Sequence, residues 1–192
     1  MKVLVIYAHP NPKSFNHAVL ESFTKGLAQG GHTFEVADLY SIKFNPSLKL
    51  EDFAQYTDEP MPSDVRDQQS KLVQADALAF IFPIWWHSCP AILKGWIERV
   101  LSRGFAYKFT ETGPVGLLKH KKALLINTTG GPEPKYQASG TGDMIKKLFQ
   151  EILEHDCGIP SVEHVFFHGL DLVDEATRKK YLEQAYHLGK EF

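Results

Sequence analysis

Five short apolar runs, separated by stretches with helical spacing, constrain this chain more than any other feature. Lys2 to Ala8, Thr33 to Ala37, Ala77 to Phe82, Lys122 to Asn127 and Val162 to Phe167 read as strands. The first is apolar almost throughout, as in a strand buried on both faces. Phe15, Val19, Phe23 and Leu27 recur at helical spacing along Phe15 to Ala28, which stops at Gly30-Gly31. Ala91 to Leu101, Met144 to Glu154 and Glu175 to Leu188 read as further helices, with Ile145, Leu148, Phe149 and Ile152 forming one stripe. Strands alternating with helices predict a parallel α/β sheet. Five of them predict a flavodoxin-like three-layer sandwich with strand order 2-1-3-4-5. A chain of 192 residues is expected to form one domain over 1–192.

The segment Asp38 to Ser63 breaks the pattern. It holds Asn45-Pro46, Pro60 and Pro62, several acids, and Phe44, Phe53 and Tyr56, and reads as a long surface excursion. Loops of that length are uncommon unless they serve a function. A formal net charge of -2 gives no reason to expect nucleic acid or an acidic membrane as partner. Cys89 and Cys157 form no CxxC pair, and Val3-Leu4-Val5-Ile6 is too short for a membrane span or a signal core. A reducing, cytoplasmic setting is the expectation.

In an open parallel sheet, ligands bind outside the carboxyl ends of the strands. The loop after the third strand is Phe82-Pro83-Ile84-Trp85-Trp86-His87-Ser88-Cys89-Pro90, with two tryptophans and a histidine between prolines. Flat side chains at that place point to a flat aromatic ligand. The loop after the first strand offers His9, Ser14 and Asn16 at a helix start, where free N–H groups suit a phosphate and where Ser14 or Asn16 also suits plain capping. The loop after the fourth strand, Asn127-Thr128-Thr129-Gly130-Gly131, lets backbone approach a ligand edge and is followed by Tyr136. GxGxxG, GxxxxGK[ST] and GxSxG are absent, and no histidine or cysteine has zinc-ligand spacing; no metal site is expected. His164 and His168 fall four apart across a strand and its end, and need not face one site.

The runs "YAHP…SFN" (Tyr7 to Asn16), "FPIWWHSCPAILKGWIERV" (Phe82 to Val100), "GFAY" (Gly104 to Tyr107) and "TTGG" (Thr128 to Gly131) resemble the NAD(P)H dehydrogenase (quinone) family. These are flavin quinone reductases of the DT-diaphorase type, with bacterial relatives that include ancillary subunits of potassium efflux systems. The resemblance implies a cytoplasmic homodimer holding FAD, with FMN as the alternative, and using NAD(P)H to reduce a quinone or another flat acceptor. It places His9, Ser14, Phe15, Asn16 and Ala18 on the phosphates and adenylate. It places Pro83, Ile84, Trp85 and Trp86 along the isoalloxazine, and Thr128, Thr129, Gly130 and Gly131 on its polar edge. Tyr136 matches a tyrosine that assists hydride transfer; Trp86 and His87 would line the acceptor site. Three departures stand out: Thr141 takes the place of a histidine in mammalian members, His87 that of an aromatic, and those members run on past the position of Phe192. A peripheral tie to a membrane transporter and a single-electron carrier role remain open alternatives.

Overall fold

In the computed structural model, residues 1–56 and 59–192 are described. The elements are β1 (Lys2–Tyr7), α1 (Phe15–Gln29), β2 (Thr33–Asp38), α2 (Ser63–Gln74), β3 (Ala77–Pro83), α3 (Ala91–Val100), β4 (Tyr107–Thr110), β5 (Gly113–Gly116), β6 (Ala123–Thr128), α4 (Glu133–Ala138), α5 (Thr141–Gln150), β7 (Val162–Phe167) and α6 (Glu175–Lys190). A short 3-10 segment spans Leu50–Tyr56, and a π-helical turn, Glu151–Asp156, extends α5.

One five-stranded sheet has the order β2-β1-β3-β6-β7, with every neighbouring pair parallel. Counted within this sheet, that is the expected 2-1-3-4-5. The strand direction of travel reverses between β1 and β3, and a crevice opens there at the carboxyl ends. Alternate residues of the central strands feed two cores, as the period of two requires. Val3, Val5, Tyr7, Ala77, Ala79 and Ile81 pack with Val19, Phe23 and Leu27 of α1 and Ala185 of α6. Leu4, Ile6, Leu78, Phe80 and Phe82 pack on the other face with Val65 and Leu72 of α2, Trp96 of α3 and Phe149 of α5. Helices α1 and α6 touch through two glycines: a Cβ on Gly26 would lie 2.0 Å from the Tyr186 carbonyl oxygen, and one on Gly189 would lie 2.1 Å from that of Phe23.

Two local expectations are corrected, and two elements appear that the sequence did not announce. The stretch after Asp38 is not a free excursion, although residues 57 and 58 within it lie outside the described residues. Arg99, 2% exposed, donates from Nε and Nη2 to Asp52, from Nη1 to the Asn45 carbonyl at 2.7 Å, and to Asp64 at 2.6 Å. Phe44, Asp52 and Ala54 are buried as a result. Helix α2 carries no clear apolar stripe in sequence because the middle of its three buried positions is polar: Gln68, which accepts from Trp96 Nε1 at 3.2 Å. In α5 the stripe shifts. Ile145, Phe149 and Leu153 are buried while Leu148 is exposed, and the wider π turn begins right after this stretch. The antiparallel pair β4-β5 is a separate hairpin of two four-residue strands, each too short to show a period in sequence. Among the described residues no helix is long and apolar enough to cross a membrane.

Candidate active site

The loops after β1, β3, β6 and β7 enclose a cleft of about 620 Å³ at the carboxyl end of the sheet. Its first wall is the start of α1. Ser14 is the N-cap, and its Oγ accepts from the His17 N–H at 3.2 Å. Phe15 and Asn16, both on the cleft wall, are the first residues of the helix, where N–H groups lack intrahelical acceptors. No acidic side chain occupies that first turn, so its positive end is left for a ligand. His9 Nδ1 lies 3.1 Å from the Asn11 nitrogen and 3.3 Å from the Asn11 carbonyl oxygen; burial lowers its pKa, and the Asn11 backbone contact partly opposes this. The His9 ring sits 5.6 Å from that of Trp85.

The second wall is Pro83, Ile84, Trp85 and Trp86. Trp85 N–H donates to the Ser88 carbonyl at 2.9 Å and Ser88 N–H to that of Trp85 at 3.0 Å. The two residues between them, Trp86 and His87, have φ of 49° and 62°. Positive φ at both central positions is the type I′ hairpin turn, normally filled by Asn or Gly. Holding two other residues there costs roughly 1 kcal/mol or more each. The turn lifts Trp86 to 96% exposure. His87 is exposed at the tip and stands outside the wall of the cleft.

Thr128, Thr129 and Gly130 form the third wall. Thr128 carries its carbonyl to the Ile84 N–H at 2.8 Å, joining this wall to the second. Thr129 Oγ1 donates to the Gly131 carbonyl at 2.8 Å and tightens the turn. Gly131 and Tyr136 lie just behind the wall, with the Tyr136 ring 3.2 Å from where a Gly131 Cβ would be. Burial raises the Tyr136 pKa, and the nearby Thr129 side chain offsets part of that rise, so the phenol keeps its proton. Ala18 is half-buried on the next turn of α1, away from the wall.

Three residues around the site went unassigned in the sequence. Leu170 and Asp171 close the cleft from the loop after β7, and the Asp171 carboxylate comes within 2.6 Å of the space that a Gly130 Cβ would fill. His168 contacts Thr129 and Tyr136. The usable signal was topological: a parallel sheet brings the loop after its fifth strand to the same end as the others.

An open parallel sheet, helices on both faces, and a cleft at the reversal of strand order bounded by a helix start and an aromatic turn define a flavodoxin-like protein. The chain belongs to the Flavodoxin_2 family, characterised by the flavodoxin-like fold, which matches residues 1–188. It is similar to a ribosyldihydronicotinamide dehydrogenase [quinone] of Mus musculus, 38% identical over 94% of this chain and 87% of that protein. A Haemophilus influenzae protein described as an uncharacterized NAD(P)H oxidoreductase is 36% identical over 96% of this chain and 92% of that one. Among solved structures, the NAD(P)H:quinone oxidoreductase from Methanothermobacter marburgensis superposes with a TM-score of 0.91 at 34% identity, covering 99% of this chain and 98% of that chain.

Proposed function

We propose that this protein is a flavin-dependent NAD(P)H:quinone oxidoreductase. The observation that carries the reading is the convergence of an open helix start, an aromatic turn and a Gly-Gly turn on one cleft at the strand-order reversal. The relatives that span nearly the whole chain support the same chemistry. The residues present suit a flavin. The first turn of α1 has no acid to repel a phosphate, and at Gly130 the absence of a Cβ lets the loop after β6 pack against the Asp171 carboxylate at the cleft edge. FAD is the proposed form, on the strength of the Ser14 to Asn16 run, with FMN the alternative.

A bound flavin would supply the redox step, taking a hydride from NAD(P)H and passing two electrons to a quinone. The chain's own residues bind, orient and polarise. His9, Ser14, Phe15 and Asn16 hold the phosphate side, with His9 neutral; Ala18, away from the wall, takes no part in it. Pro83, Ile84, Trp85 and Trp86 present a flat apolar surface and exclude water from it. Thr128 brings its hydroxyl, and Gly130 and Gly131 their backbone N–H groups, to the polar edge, where they stabilise developing negative charge, while Thr129 holds the turn. Tyr136 holds its proton at neutral pH and acts as the donor behind that edge. Trp86, on the cleft wall, contacts the acceptor, and His87 stands beside it at the tip of the raised turn. A tryptophan at 96% exposure is an expensive surface for a lone chain, and we assign it to a homodimer in which a second copy covers it. Release of the cofactor by heat, followed by chromatography against FAD and FMN, tests the reading. One flavin per chain supports it, and no flavin, bound or reconstituted, contradicts it.

A further inference from the structure

His168 stands at the end of a stack that the sequence pattern does not disclose. His164, Phe166 and His168 occupy alternate positions on one face of β7 and its continuation. Their rings lie 4.5 Å apart at 19° and 5.2 Å apart at 22°. The period of two puts i and i+4 on one face, so the two histidines share a face while bonding different partners, Asn127 and Thr129. Beyond His168 the ring of Tyr136 follows, 5.1 Å away and tilted by 50°. The Tyr181 hydroxyl, from α6, donates to the His168 carbonyl at 3.0 Å and holds its backbone.

The hydrogen bonds around Thr129 bear on the state of the imidazole. Thr129 Oγ1 has one proton, and it goes to the Gly131 carbonyl at 2.8 Å. His168 Nδ1 lies 3.0 Å from the same oxygen. With that proton on the Gly131 carbonyl, Nδ1 is the donor; with it turned to Nδ1, the ring would carry its proton on Nε2. The Gly169 N–H also points at it, 3.4 Å away, and donates to the Gly131 carbonyl at 2.9 Å. The side chain of Thr129 is thus clamped between the loop after β7 and its own turn.

We infer that His168 is a positioning residue: as the Nδ1–H tautomer it donates to Thr129 Oγ1 and thereby sets the Thr129–Gly131 turn and the Tyr136 ring against the cleft. The inference rests on the flavin reading only for what the cleft holds. The groups that face His168 are Tyr136 and Glu133 from α4, Lys146 from α5 and Tyr181 from α6. Burial lowers its pKa, Glu133 opposes this and Lys146 adds to it, so the neutral tautomer is the form at neutral pH.

The test has two arms. In protein labelled with 15N-histidine, without added flavin, the His168 resonances (assigned by their loss in His168→Asn) should show the neutral Nδ1–H tautomer at pH 7.5. A neutral Nε2–H tautomer, or averaging between the two, overturns the inference. In the second arm, FAD and FMN affinities are measured by titration. His168→Phe keeps the ring and loses the donor, and should weaken flavin binding about tenfold, the loss of one hydrogen bond. His168→Asn can donate from Nδ2 near the Nδ1 position and should stay within about threefold of wild type. Equal losses in both variants, or none in His168→Phe, overturn the inference. If the wild type takes up neither flavin, the functional reading fails, and the tautomer alone decides the role of His168.

Discussion

Asn16 Nδ2 donates to Thr128 Oγ1 at 2.7 Å, tying the start of α1 to the end of β6 across 112 residues of sequence. Both residues are almost fully buried, and both line the cleft. The bond therefore sets the distance between the wall proposed to hold phosphates and the wall proposed to hold the ring edge. Asn16→Ala leaves Thr128 Oγ1 without this donor and should lower stability by about 1–2 kcal/mol. Flavin affinity should fall with it. Urea unfolding of the flavin-free form, alongside flavin titration, checks both; unchanged values for both would show that the bond organises nothing.

The contact between α1 and α6 has no room to spare. Gly26→Ala and Gly189→Ala each drive a methyl into the opposing backbone, and should each destabilise by roughly 2–3 kcal/mol by overpacking. The sites meet at one crossing, so the double variant should cost less than the two losses added. Denaturant midpoints of the two single variants and the double variant measure this, and strict additivity would contradict the shared contact.

His164 supplies an acid-sensitive element. Its Nε2 donates to Asn127 Oδ1, its Nδ1 is enclosed without a partner, and burial together with Lys146 lowers its pKa to about 3. The unfolded value is near 6.5. A depressed folded pKa means that the unfolded chain binds the extra proton, so stability is present above about 6.5 and is lost as pH falls from there toward 3. The loss over that window is at most on the order of 4–5 kcal/mol. His164→Phe should flatten the pH dependence between 6.5 and 3, the difference being read from melting temperatures of variant and wild type. Parallel curves would show that His164 does not carry it.

Tyr136→Phe should slow flavin reduction by NAD(P)H about tenfold or more, as loss of one donor to developing charge typically costs ~2–4 kcal/mol when it is essential. The flavin affinity should move far less, because the hydroxyl serves charge that develops only during transfer. Stopped-flow reduction under anaerobic conditions gives the rate, and equal rates would remove Tyr136 from the mechanism.

The fold was legible because its five sheet strands are apolar runs and their order follows from five alternating units. The cleft was legible at three loops for the same reason: Trp85, Ser14 and Thr129 are residue types that a plain connecting loop does not need. Gln68 hid α2, since a buried amide satisfied by Trp96 looks in sequence like a solvated position. Asp52 hid the anchoring of the segment after β2, since only the fold brings Arg99 within reach of it. Leu170, Asp171 and His168 were hidden because a short loop with one acid and one histidine carries no motif. Their partners, Gly130 and Thr129, lie about forty residues away and meet them only in the folded chain.

The central claim is that the cleft carries a flavin that accepts hydride from NAD(P)H and returns the electrons to a quinone. The most direct measurement is the visible spectrum of the purified protein, followed anaerobically through addition of NADH or NADPH and then of a small benzoquinone. A yellow protein whose flavin band bleaches with the nicotinamide and returns with the quinone is the predicted result. A colourless protein that takes up neither FAD nor FMN, or a flavin band that NADH and NADPH both leave unchanged, would contradict it.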